Sequence, residues 1–161
     1  MRNVVLGAIL VVACGQPAPP ANAPPNTPPA AIGTSGYPGL DWGATVANVK
    51  AAYPRTTEDH GELTTTSLAV EGQPNTTTFA FEHGKLARIG IAFDRRFASM
   101  NECATLWTVV RRALDPKLGK SAGENLAAFW ESTTYAVTLS CDIDDHAQAG
   151  LSMSYAPAPP P

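Results

Sequence analysis

The sequence predicts an α+β fold of the form helix-βββ-helix-βββ, with both helices packed on one face of an antiparallel sheet. Three observations predict it. Two segments repeat apolar residues at helical spacing, and six alternate them at strand spacing. One cysteine lies on a helical apolar stripe and another on a strand's apolar face, so packing that helix on that strand would bring the two together.

The first helix follows Leu40-Asp41-Trp42-Gly43-Ala44-Thr45, with Thr45 as its N-cap and Val46, Val49 and Tyr53 on one side. Pro54 closes it. Three strands follow: Thr64 to Glu71 with Thr66, Leu68 and Val70 inward, Thr76 to Glu82 with Phe79 and Phe81 inward, and Lys85 to Phe93 with Ala87, Ile89, Ile91 and Phe93 inward. Gly72-Gln73-Pro74-Asn75 and His83-Gly84 are the turns between them.

The second helix opens on Ser99-Met100-Asn101-Glu102, a capping box in which serine oxygen and glutamate satisfy each other's backbone amides. Cys103, Leu106, Trp107, Val110 and Leu114 form its apolar stripe, and Asp115-Pro116 marks its end, because a residue before proline avoids helical angles. The last strands are Ala127 to Ser132 with Phe129 or Trp130 inward, Tyr135 to Cys141, and Leu151 to Tyr155. Trp42, Trp107 and Trp130 are read as packing residues rather than a ligand cage.

The N-terminus has the build of a secretory signal: Arg2, an apolar run from Val4 to Val12, and the small residue Ala13. That run is too short for a spanning helix, which needs about 20 apolar residues. Val11-Val12-Ala13-Cys14 resembles the lipobox of bacterial lipoproteins. The resemblance implies cleavage before Cys14 and a diacylglyceryl thioether on its sulfur, usually with an amide-linked acyl chain such as palmitate. Two or more chains give stable membrane attachment. Gly15 rather than aspartate after the cysteine agrees with the outer membrane in the enterobacterial sorting scheme. The competing reading is an ordinary signal cut after Ala13, leaving Cys14 a free thiol.

From Gln16 to Gly36 the chain has seven prolines and no charge, so it reads as a disordered, extended tether with a reach of roughly 60 Å at about 3 Å per residue. Pro17-Ala18-Pro19-Pro20 and Pro25-Asn26-Thr27-Pro28 approximate a P-x-x-P ligand, without the basic flank that orients one. The expected organisation is a signal peptide at 1–13, a lipidated cysteine and tether at 14–36, a single α+β domain at 37–156 and a proline-rich tail at 157–161.

Assigning Cys14 to lipid leaves the even pair Cys103 and Cys141, read as a disulfide in an oxidising compartment, with two buried free thiols as the alternative. Zinc is disfavoured, because no close cysteine pair is matched by paired histidines. The segment from 39 to 93, through Leu40-Asp41-Trp42-Gly43, a short helix and three strands, resembles the outer-membrane assembly lipoproteins of the SmpA/OmlA kind and the β-lactamase-inhibitor-like domains. That resemblance implies a protein-binding or inhibitory role, and no partner-binding residue carries over.

Once Arg2 leaves with the signal, ten Lys and Arg face fourteen Asp and Glu, a net charge near −4 that disfavours nucleic acid. Arg95-Arg96 and Arg111-Arg112 sit beside Asp94 and Asp115 and read as solvated. No nucleophile elbow, phosphate loop or zinc helix is present, and His60, His83 and His146 fall in loops. Asp142-Ile143-Asp144-Asp145-His146 offers oxygen ligands for a hard cation but lacks the glycine and distal glutamate of an EF-hand, and Glu58-Asp59-His60 is poorer still. Asn75-Thr76-Thr77 is a glycosylation sequon in a chain that reads as bacterial. The expectation is a lipid-anchored cell-envelope protein, with no catalytic, metal or cofactor residues, that binds another protein or an envelope component. The alternatives are a metal-dependent hydrolase using residues 142–146, or an enzyme inhibitor.

Overall fold

The computed structural model describes residues 33–66, 68–144 and 146–159. The elements are helix α1 (Val46–Ala52), strands β1 (Thr57–Asp59), β2 (Glu62–Thr65), β3 (Ala69–Val70), β4 (Gln73–Glu82) and β5 (Lys85–Phe97), helix α2 (Met100–Leu118), and strands β6 (Ala127–Glu131), β7 (Tyr135–Ile143) and β8 (Ala149–Pro157). The strands form one antiparallel sheet in the order β1-β2-β4-β5-β8-β7-β6, with β3 paired to β4. The fold is α+β, with α2 packed against β7 and β8 on one face of the sheet.

That covered face is built in rows. Leu63, Phe79, Ile89, Tyr155, Val137 and Trp130 lie in register across six strands, and all are buried. The next row runs Thr65, Thr77, Ile91, Met153, Leu139 and Ala128. All five stripe residues of α2 are buried against these rows. Tyr37, Tyr53, Phe79 and Tyr155 close the other end of the core as a cluster of tilted, stacked and edge-on rings.

The first helix has the expected cap: Thr45 Oγ1 accepts from the Asn48 amide, and the Thr45 amide donates to Asn48 Oδ1. For α2 only the serine half of the box is made among the described residues, with the Glu102 amide donating to Ser99 Oγ. The helix also continues through Pro116 to Leu118, past the expected end. Proline there removes one bond in a final turn already closed by the Gly119 amide on the Asp115 carbonyl.

The first three expected strands are five. His60-Gly61, Glu71-Gly72 and His83-Gly84 all have positive φ at both residues and make three tight hairpin turns. The expected strand over 64–71 is therefore split into β2 and β3, and the inward residues at its start are Leu63 and Thr65 rather than Thr66. A threonine-rich stretch has little apolar alternation, so its register is set by Leu63 meeting Phe79. The second turn sits at 71–72, ahead of Pro74, which is tolerated where β4 meets only the two-residue β3. A bulge at Ala80 and Phe81 makes Leu86, not Ala87, the buried residue opposite Phe81.

The packed body begins ahead of Tyr37. Ser35 is fully buried, its hydroxyl donating to the Leu40 carbonyl at 2.8 Å and accepting from the Tyr37 amide at 3.1 Å. At the other end β8 includes Pro157, and the Ala158 amide donates to the Thr134 carbonyl at 3.1 Å. The Trp42 indole donates to the same carbonyl, so Trp42 and the residue after β8 both meet the turn between β6 and β7.

Candidate functional site

Among the described residues no helix lies on the opposite face of the sheet, and most of the outward residues at its centre are small. Thr57, Thr64, Thr78, Gly90, Ser154, Thr138 and Phe129 lie in register along one row. Thr76, Ala92, Ser152, Ser140 and Ala127 form the row beside it. These outward positions alternate with the buried ones along each strand, so the same pleat that fills the core exposes this set.

With so little side-chain height over β4, β5 and β8, the face holds a trough of about 380 Å³. Gly90, Ala80 and Ala92 form its floor, Thr78, Ser152 and Ser154 bring hydroxyls to it, and Glu62 and Arg88 line it. At the other side of the face the hydroxyls are used within the protein: Ser140 donates to Asp142 at 2.7 Å, and Thr76 to Asp94 at 3.4 Å. Among the described residues the hydroxyls of Thr78, Thr138 and Ser154 have no such partner.

Gly90 is the residue the fold does not explain. It sits in the middle of a thirteen-residue strand paired on both sides. A Cβ built on it meets nothing within 4 Å, and its φ lies outside the left-handed region. Glycine in a strand interior weakens the strand, and it recurs where a ligand or another backbone approaches closely. The outward alternation of Arg88, Gly90 and Ala92 was legible in the sequence, and the smallness of the outward residues of β4, β5 and β8 together was the signal that could have located the trough.

Cys14 lies outside the described residues. Cys103 and Cys141 form a disulfide joining α2 to β7, with a Cα separation of 6.2 Å and both residues buried. The acidic loop is bound up in its own turn. Asp144 Oδ1 accepts from the Gln148 and His146 amides, and these bonds, with the Arg96 guanidinium nearby, hold its carboxyl below the usual range. Asp145 lies outside the described residues, His146 is exposed, and Asp142 accepts from Ser140. Among the described residues no group of three or more His, Cys, Asp or Glu is placed to hold a metal ion.

The remaining candidates fall in separate places. His60 and His83 are exposed in hairpin turns, and Asn75 is fully buried, its carboxamide donating to the Gln73 carbonyl and accepting from Thr77, so a folded domain offers no glycan site there. Trp107 and Trp130 are core residues, while Trp42 is half-buried. Arg111, expected to be solvated, instead stacks on Trp107 and donates to Ser121 at 2.7 Å. The reason is the loop after α2, which folds back: Asp115 Oδ1 accepts from the Ser121 amide and from the Trp130 indole.

No helix among the described residues is long and apolar enough to cross a membrane. Comparison with protein-family models, curated proteins and solved structures returns no match for this chain.

Proposed function

We propose that this chain is a lipid-anchored, non-catalytic protein of the bacterial cell envelope that binds a partner on the open face of its sheet. The observation that carries the binding surface is Gly90, a glycine with an ordinary backbone and open space above it on the floor of the trough. A purely structural sheet would gain from a β-branched residue there. The anchor rests on Val11-Val12-Ala13-Cys14 and the uncharged proline-rich stretch after it. A disulfide agrees with an oxidising compartment.

Two measurements test the two halves. Cys14→Ser should move the protein from the membrane to the soluble envelope fraction; a variant that stays membrane-bound contradicts the anchor. A photo-crosslinking residue at Ala92, exposed on the open face, should give a discrete adduct in cells, while one at Val109, exposed on α2, should not. Equal labelling from both positions, or none from Ala92, contradicts the binding face.

A further inference from the structure

We infer that a cavity at the C-terminal end of α2 binds a small, uncharged molecule with one aromatic ring and one hydroxyl or carbonyl group. It lies on the helix-covered side of the sheet, so this inference and the open binding face stand or fall separately. Leu114 and Leu118 of α2, Val70 of β3, and Tyr37 and Tyr155 wall a space of about 190 Å³. A cavity of about 150 Å³ lined by apolar side chains holds one benzene ring. The space therefore suits a single substituted ring and is too small for the acyl chain of a lipid. The Tyr37 and Tyr155 rings meet edge-on, 5.4 Å between centroids, and add aromatic surface to its wall.

The polar group of the ligand is called for by Tyr155. This residue is only 5% exposed, and its hydroxyl makes no hydrogen bond among the described residues. Tyr53, on the other side of Tyr37, is served: its hydroxyl donates to the Pro38 carbonyl at 2.5 Å. Thr56 Oγ1 is the one fully enclosed side-chain polar atom without a partner among the described residues. The Tyr155 hydroxyl is therefore not sealed in protein, and the space it opens on is the cavity its residue lines. A buried hydroxyl left unbonded costs free energy that a ligand's oxygen would recover. Burial also pushes the Tyr155 phenol up, so it meets a ligand as a neutral group. At the rim Lys117 and Glu71 pair with each other, which leaves no unmatched charge to hold an ionic ligand.

The test uses the full chain in phosphatidylcholine nanodiscs, because detergent tails would compete for an apolar cavity. The probes are p-cresol, toluene and N-acetyl-tyrosinamide, titrated by ligand-observed NMR with empty nanodiscs as the blank. We expect p-cresol to bind with a dissociation constant below about 1 mM, and toluene roughly three- to tenfold more weakly for want of the hydroxyl. Tyr155→Phe keeps the ring and should erase that difference while leaving toluene unchanged. Without ligand its melting temperature should stay within about 2 °C of the unsubstituted protein, since no bond in the fold is lost. No binding of p-cresol beyond the blank would mean that the cavity holds only water, and would overturn the inference. So would an undiminished preference for p-cresol in Tyr155→Phe, or a clearly lower melting temperature for that variant, which would give the hydroxyl to the fold. Binding retained in a stably folded Leu118→Trp protein would contradict the location. N-acetyl-tyrosinamide should bind more weakly than p-cresol, since it carries a backbone the cavity cannot hold; equal or tighter binding would assign the site to a partner's side chain and overturn the small-molecule reading.

Discussion

Gly90 faces Ser154 across the β5 and β8 pair, and the glycine's missing side chain leaves the serine hydroxyl at the edge of an open trough. No backbone angle or close neighbour requires glycine at that position. The cost falls on the fold and the room it makes falls on the surface, which is the arrangement expected of a residue kept for contact with something else.

Gly90→Thr should therefore stabilise the isolated protein. Restoring a β-branched side chain in a paired interior strand is worth about 1 kcal/mol, a rise in melting temperature of roughly 3–5 °C for a domain of this size. Thermal unfolding followed by circular dichroism checks this, and a lower melting temperature would show that the fold does need the glycine.

Removing the Cys103–Cys141 bond should cost far more. The bridge closes a separation of 38 residues, for which the chain-entropy model gives about 4 kcal/mol. Urea unfolding of Cys103→Ala/Cys141→Ala beside the oxidised protein measures it. A difference below about 1 kcal/mol would mean that α2 is held to β7 by packing alone.

Asp115 makes acid stability partly a property of the end of α2. Burial works to raise its carboxyl, but the bonds from Ser121 and Trp130, with Arg111 nearby, outweigh it and hold the carboxyl below its ordinary value of 3.8. A depressed folded value means stability that is present above about pH 4 and lost as pH falls through the folded value. Asp115→Asn should cost about 1–2 kcal/mol at pH 7 through the weakened charge-assisted bonds, and the gap to the unsubstituted protein should narrow at pH 3. Urea titrations at the two pH values test this; a gap that is constant or wider in acid is the contrary result.

Ser35→Ala should cost about 1–2 kcal/mol, because it removes a fully buried hydroxyl that serves the Leu40 carbonyl and the Tyr37 amide. The same denaturant series reads it. A neutral effect would mean that residues ahead of Tyr37 add nothing to the packed body.

Much of this fold was legible where apolar residues alternate cleanly. The stripe from Cys103 to Leu114 is buried as read, Val137, Leu139 and Cys141 share an inner face, and the two cysteines meet. Over 57–74 it was not, because threonines and charged residues carry no period of their own and the three X-Gly hairpin turns there and at 83–84 set the strand limits. The trough was hidden for a different reason. Reading strands by their apolar positions finds the inner face, while Ala80, Gly90, Ser152 and Ser154 become a surface only when β4, β5 and β8 are placed side by side. Residues far apart in sequence make that surface, and the order of strands that joins them is a tertiary fact.

The most direct test of the binding face is Gly90→Leu, which fills the trough floor at a position where an added Cβ meets nothing within 4 Å among the described residues. Melting temperature and photo-crosslinking yield from position 92 should be measured on the same variant. The account predicts a melting temperature equal to or above that of the unsubstituted protein together with loss of the adduct; an undiminished adduct in a stably folded Gly90→Leu protein would contradict it.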